Sequence, residues 1–101
     1  MSQVEINDCA VLQYKKADAH LNRVYQKAMQ YMKGDQKGIS TLKQVERAWI
    51  SYRDLQCKAA VQDYEGGSIE SAIKLDCLTT LTEHRIAEMK SIYENDGRKL
   101  D

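Results

Sequence analysis

The feature that most constrains this chain is the absence of proline from all 101 residues, combined with the clustering of its five glycines. The glycines are Gly34, Gly38, Gly66, Gly67 and Gly97. Because glycine and proline are the strongest local breaks in regular structure, three uninterrupted segments of about 25 to 30 residues remain. A chain of this length builds one hydrophobic core rather than two. We therefore predict a single domain over residues 1–101.

Apolar residues recur within these segments at steps of three and four, which is the spacing of one face of an α-helix. The first segment has this spacing at Ala10, Tyr14, Ala17, Leu21, Val24, Ala28 and Tyr31. In the second segment, the same spacing predicts that Val45, Trp49 and Tyr52 face the core. A β-strand would need strict alternation of apolar and polar residues, which is absent.

Short connections make each predicted helix an antiparallel neighbour of the next. The predicted fold is therefore all-α, an up-down-up bundle of three helices over about 5–33, 40–64 and 68–94. The remaining residues, 95–101, form a polar tail that we expect to fray. A three-helix core of this size is marginal, so a covalent cross-link would add substantial stability.

Three cysteines leave an odd number to explain. In an antiparallel hairpin, residues equidistant from the turn are level, so reflection through position 66 brings Cys57 and Cys77 to within about 3 Å along the axis. Cys9, reflected through the first turn, lies about 9 Å along the axis from Cys57, which makes that pairing less favourable. A Cys57–Cys77 disulfide is feasible on this geometry. Three reduced thiols in a cytosolic protein remain the alternative from the cysteines alone.

The same reflection, through position 36, places Arg53 level with Ala19 and next to Asp18. An ion pair between Asp18 and Arg53 would help to set the register of the first two helices. The alternative is catalytic, with Asp18 and Asp54 as paired carboxylates in general acid and base chemistry. We favour the structural interpretation because the arginine is adjacent and no nucleophile pattern accompanies the carboxylates.

Composition and motifs disfavour several function classes. The chain has 15 basic and 15 acidic residues, so no net positive charge favours a nucleic-acid partner. No apolar run reaches the roughly 20 residues of a membrane span. His20 and His84 stand apart from each other and from the cysteines, so we expect no metal site. Phosphate-binding and hydrolase motifs are absent from the sequence, and we expect neither a cofactor nor catalytic residues.

Several short motifs follow one another along residues 2 to about 90. They are Gln3–Ala10, Ala17-Asp18 with Leu21-Asn22 and Tyr25, Gln44 with Trp49-Ile50, Tyr52-Arg53-Asp54 and Cys57, Gly66–Ile69, and Cys77 with Thr80, Thr82 and Arg85. In order and spacing these motifs resemble the LprI-like lysozyme-inhibitor N-terminal domain. Each motif is short, and together they are fairly specific.

The resemblance implies a bacterial protein that acts outside the cytoplasm, either in the periplasm or after secretion. In that oxidising setting, the Cys57–Cys77 disulfide becomes the favoured interpretation. The family pattern usually has a further cysteine before the position of Gln3. We therefore expect a signal peptide and a partner for Cys9 upstream of Met1, and Cys9 is otherwise unpaired.

Five polar residues match family positions, and we interpret them as a structural network that fixes the bundle. They are Asp18, Asn22, Arg53, Asp54 and Arg85.

The family name implies a non-enzymatic inhibitor of lysozyme or of a similar cell-wall-degrading enzyme. We expect the protein partner to bind Tyr64, Glu65, Gly66 and Gly67, because this turn is compact, acidic and close to the favoured disulfide. Two alternatives stay open: an immunity or envelope-stress protein that binds a delivered toxin, and an enzyme that acts on peptidoglycan through the carboxylate pair named above. A second copy of the chain could supply a fourth helix, so a dimer is a further option.

Overall fold

The computed structural model describes residues 1–95 and 97–101. Three long helices account for most of them: α1 (Gln3–Tyr31), α2 (Gln36–Ala60) and α3 (Glu70–Tyr93), with a short 3-10 helix at Gln62–Tyr64 between the second and third. The described residues contain no β-strand. The all-α prediction is therefore confirmed.

Local capping decides where the first two helices begin. The Ser2 hydroxyl accepts from the backbone N–H of Glu5, and the Glu5 carboxylate accepts in return from the backbone N–H of Ser2. The Asp35 side chain accepts from the backbone N–H of Gly38 at 2.9 Å, so α2 begins at residue 36 rather than 40. Gly34, at φ +93°, allows the tight turn between the two helices.

The three helices form the predicted up-down-up arrangement. The N-terminal halves of α1 and α3 line one groove, so these two helices run in the same direction. They pack closely along their length, and α2 packs against α3 as well. The chain is elongated and rather flat, at 49 × 24 × 16 Å.

The hydrophobic core lies toward the end of the bundle that holds the turn between α1 and α2. Its buried members are Leu21, Val24, Ala28, Leu42, Ile86, Met89 and Leu100. Toward the opposite end, Val61 is buried beside a disulfide between Cys57 and Cys77. Burial therefore stabilises one end of the bundle, and a covalent bond holds the other.

The rotation of α2 about its own axis corrects the sequence prediction. Its buried residues are Leu42, Glu46, Arg53 and Cys57. Val45 and Tyr52, which were predicted to face the core, are 43% and 53% exposed. Two contacts with α3 fix this rotation, since Cys57 forms the disulfide and Glu46 forms an ion pair with Arg85. Both contacts require the face of α2 that carries Glu46 and Cys57, next to the predicted apolar stripe, to point toward α3.

Residues 97–101 of the C-terminal tail dock on the bundle through Leu100, so the prediction that this part of the tail frays is wrong. Asp96 lies outside the described residues. Leu100 is 1% exposed and belongs to the core. Its backbone N–H donates to Glu94 Oε2 at 2.7 Å, and the Tyr31 hydroxyl donates to the Lys99 carbonyl at 2.8 Å. His20 Nε2 also lies 2.6 Å from the Asp101 carbonyl oxygen, so one buried apolar residue and three hydrogen bonds dock this segment on the helices.

Replacing Leu100 with alanine is expected to lower the free energy of unfolding by about 2 kcal/mol. Truncating this buried side chain leaves a cavity that movement of the chain end fills only in part. Lys99→Ala is the matched control, since Lys99 contributes its backbone carbonyl while its side chain is exposed. Urea unfolding followed by far-ultraviolet circular dichroism measures the difference. Equal unfolding midpoints for the two variants would show that the tail does not contribute to the core.

Candidate functional site

A disulfide joins α2 to α3 at the end of the molecule that holds the loop between these two helices. Cys57 and Cys77 are bonded, with a Cα–Cα distance of 5.6 Å, as the hairpin reflection predicted. Cys57 is fully buried. The remaining cysteine, Cys9, is exposed at the groove between the N-terminal halves of α1 and α3.

The predicted partner-binding residues form a compact loop next to the disulfide. Tyr64 ends the 3-10 helix and is 44% exposed. Gly66 has φ +77°, and its backbone N–H donates to Glu70 Oε2 at 2.8 Å. At Gly67, a Cβ atom would lie 3.1 Å from the Tyr64 carbonyl oxygen, so a side chain fits poorly there. The two glycines thus hold Tyr64 and Glu65 on a tight, exposed turn.

Arg53 is a buried cation held between two aromatic rings. Its guanidinium lies 5.1 Å from the centre of the Trp49 ring and 5.8 Å from that of Tyr14. Its Nε donates to Asp54 Oδ1 at 3.1 Å. The direct Asp18–Arg53 ion pair expected from the sequence does not form among the described residues. The reason is local, since Asp54 is the next residue on the same helix and engages the guanidinium first.

Arg85 forms a second, separate cluster between α2 and α3. Its Nε donates to Glu46 Oε1 at 2.9 Å, and its Nη1 donates to Glu88 Oε1. The Arg85 side chain is 3% exposed and that of Glu46 is 12% exposed, so this pair is shielded from water. One nitrogen, Nη2, is buried without a hydrogen-bond partner among the described residues. The pair therefore fixes which faces of α2 and α3 meet.

The five predicted network residues do not form one connected set in the structure. Asp18, Asn22 and Arg53 line a groove between α1 and α2, which we call the α1–α2 groove. Within the five, the hydrogen bond found among the described residues joins Arg53 to Asp54. Arg85 bonds instead to residues outside the set.

Glu46 is the polar residue that the sequence interpretation missed. A signal for it was present, because reflection through position 66 places Glu46 level with Ile86, next to Arg85. The apolar stripe through Val45 predicted the wrong buried face of α2, since Val45 is exposed and Glu46 is buried.

Two tyrosines near the α1–α2 groove have raised pKa values. Burial raises the pKa of Tyr14 above its ordinary value of 10.0, with a smaller contribution from Asp18, and the neighbouring Arg53 guanidinium opposes the shift. Burial also raises the pKa of Tyr25, and the Glu46 carboxylate adds to it. Both phenols are therefore favoured in the neutral form when the protein is folded.

This predicts a loss of stability in alkali. A phenol whose pKa is higher in the folded state contributes stability that is fully present below its unfolded pKa of about 10 and is lost as the pH rises through the folded pKa. Urea unfolding measured across this range should show wild type losing stability more steeply than Tyr14→Phe/Tyr25→Phe. If the stability of the two proteins falls in parallel with rising pH, the two tyrosines do not have raised pKa values in the folded protein.

The described residues show no cluster of three or more His, Cys, Asp or Glu side chains suited to a metal ion. Within the same residues, no helix combines the length and apolar character needed to cross a membrane.

The fold and the site together define a small all-α domain cross-linked by one disulfide, with an exposed, hydrogen-bonded loop beside the bond. The chain belongs to the lysozyme inhibitor LprI family, which it matches over residues 1–89. The resemblance drawn from the sequence motifs is therefore confirmed. The family is one of inhibitors by name, which implies a protein partner.

Two relatives are themselves uncharacterized. The chain is 37% identical over 106 residues to the uncharacterized protein R02472 of Rhizobium meliloti (strain 1021), with 94% of this chain and 76% of that protein aligned. It is 30% identical over 104 residues to the uncharacterized protein YecT of Escherichia coli (strain K12), with 89% of this chain and 63% of that protein aligned. No solved structure shows significant similarity.

Proposed function

We propose that this protein is a secreted or periplasmic, non-enzymatic inhibitor that binds a lysozyme-like cell-wall hydrolase. Membership of the lysozyme inhibitor LprI family over residues 1–89 carries the proposal. The Cys57–Cys77 disulfide supports an extracytoplasmic location, because such bonds persist in oxidising compartments.

The loop beside the disulfide, residues 61–69, is the surface that we assign to the partner. Its backbone is held by hydrogen bonds at Gly66 and Gly67, so little conformational entropy is lost on binding. Tyr64 offers an exposed aromatic side chain, which is typical of residues that dominate binding energy. The carboxylates of Asp63 and Glu65 favour a partner with basic groups around its substrate cleft.

A lysis assay tests the inhibitor proposal. Oxidised protein is titrated into a suspension of bacterial cell walls with lysozyme, and turbidity reports lysis. We expect protection at micromolar concentrations of the protein. Undiminished lysis at those concentrations would overturn the proposal. Incubation of the protein alone with peptidoglycan is expected to release no muropeptides, and their release would indicate an enzyme instead.

Variants of the loop test the surface separately from the function. Tyr64→Ala is expected to raise the concentration needed for half-inhibition roughly tenfold. The control is Tyr52→Ala, which removes an exposed tyrosine from α2, outside the loop, and should leave inhibition unchanged. Inhibition that is insensitive to Tyr64→Ala would keep the function but move the contact surface elsewhere.

A further inference from the structure

The α1–α2 groove has the size and lining of a small-molecule site. Its volume is about 400 Å³, within the usual range for ligand pockets. It lies between α1 and α2, apart from the loop assigned above to the hydrolase. Residues from both helices line the groove, so its shape depends on the folded hairpin.

Arg53 lies in this groove as a preorganised hydrogen-bond donor. The residue is 9% exposed, and the rings of Trp49 and Tyr14 hold its guanidinium in place. Asp54 accepts from Nε at 3.1 Å, and the Tyr14 hydroxyl also lies near the guanidinium, but neither group forms a close hydrogen bond to the two terminal nitrogens among the described residues. Two adjacent N–H groups fixed in one plane match the two oxygens of a carboxylate.

The charge balance of the groove also favours an anion. Lys43 and Arg47 are exposed cations of the lining, and Arg53 is a third whose charge Asp54 offsets in part. Of the two acidic residues in the lining, Glu46 is engaged by Arg85 at 2.9 Å. Asp18 remains, and its negative charge disfavours a dianionic phosphate more than a carboxylate.

The other residues that line the groove indicate which chemical groups of the ligand lie next to its carboxylate. Tyr25, Trp49 and Ile50 contribute aromatic and aliphatic surface. Asp18 and Asn22 offer oxygen atoms that can accept from amide N–H groups. The C-terminal residue of a peptide has this combination of groups when its side chain is apolar, because it carries an amide N–H and a free carboxylate.

We propose that the α1–α2 groove binds the C-terminus of a short peptide. The terminal carboxylate pairs with Arg53, the last side chain packs on Trp49 and Ile50, and the preceding amide N–H donates to Asp18 or Asn22. Lys43 and Arg47 attract the carboxylate over a longer range, so added salt weakens binding.

Trp49 is the sole tryptophan of the chain and reports directly on this groove. The probes are N-acetyl-alanyl-alanine and the same dipeptide with a C-terminal amide. The acid is expected to change the Trp49 fluorescence saturably, with a Kd on the order of 1 mM, and the amide to bind about tenfold more weakly. Equal binding of acid and amide, or no saturable change with the acid, would overturn the proposal.

Charge variants at the rim test the same claim without disturbing the buried arginine. Lys43→Gln/Arg47→Gln is expected to raise the Kd of the acid several-fold, whereas Lys58→Gln, an exposed lysine of α2 outside the groove, should leave it unchanged. Arg53→Lys, checked for folding by circular dichroism, should weaken the acid more than the amide. A neutral N-acetylglucosamine trimer that binds as tightly as the acid would contradict the proposal and identify a saccharide site.

Discussion

Replacing both Cys57 and Cys77 with serine is expected to lower the free energy of unfolding by about 3 kcal/mol. The disulfide closes a loop with a sequence separation of 20 and so restricts the unfolded chain. The loss matters more here because the apolar cluster lies toward the other end of the bundle. For a domain of this size, the expected fall in Tm is roughly 15 °C.

Thermal unfolding of the oxidised wild type and of the double serine variant gives this difference. Cys9→Ser is the matched control, because Cys9 is exposed and outside the disulfide, and its Tm should equal that of the wild type. The wild type under reducing conditions should behave like the double variant. If removing the disulfide leaves the Tm unchanged, packing alone stabilises the loop end and the disulfide is not needed there.

Arg85→Ala is expected to cost about 3 to 5 kcal/mol, because it leaves the Glu46 carboxylate shielded from water without its partner. The loss is large for a domain whose total stability is typically about 5 to 15 kcal/mol. Urea unfolding measures it, with circular dichroism confirming that the variant is still helical in buffer.

Two further variants separate the ion pair from simple packing. Glu46→Leu/Arg85→Met removes both charges and keeps apolar volume, so it should recover most of the stability lost in Arg85→Ala. Glu88→Gln removes the more exposed partner of Arg85 and should cost under about 1 kcal/mol. If the double variant is no more stable than Arg85→Ala, the stranded charge is not the cause of the loss.

The parts of the fold that sequence predicted correctly are those that local pattern determines. The apolar stripe of α1 identifies the buried residues Ala17, Leu21 and Val24, since spacing alone selects one face of a helix. Reflection through the second turn paired Cys57 with Cys77, because a short connection fixes the register of an antiparallel hairpin.

The parts that sequence did not predict depend on contacts far apart in the chain. The inward face of α2 includes two charged residues, Glu46 and Arg53. Glu46 is buried because it pairs with Arg85, and Arg53 is buried because aromatic rings surround its guanidinium. Leu100 stands alone in a polar segment, so no periodicity marks it as a core residue. Hydropathy patterns treat charged residues as solvent-facing and therefore cannot indicate such positions.

Direct binding between the oxidised protein and lysozyme tests the proposal that this disulfide-linked helical domain inhibits a cell-wall hydrolase by placing its 61–69 loop in the substrate cleft. Isothermal titration calorimetry, with and without a saccharide that fills the cleft, is the measurement. The proposed function predicts saturable 1:1 binding that the saccharide weakens by competition. Binding that the saccharide leaves unchanged, or the absence of any binding at micromolar concentrations, would contradict it.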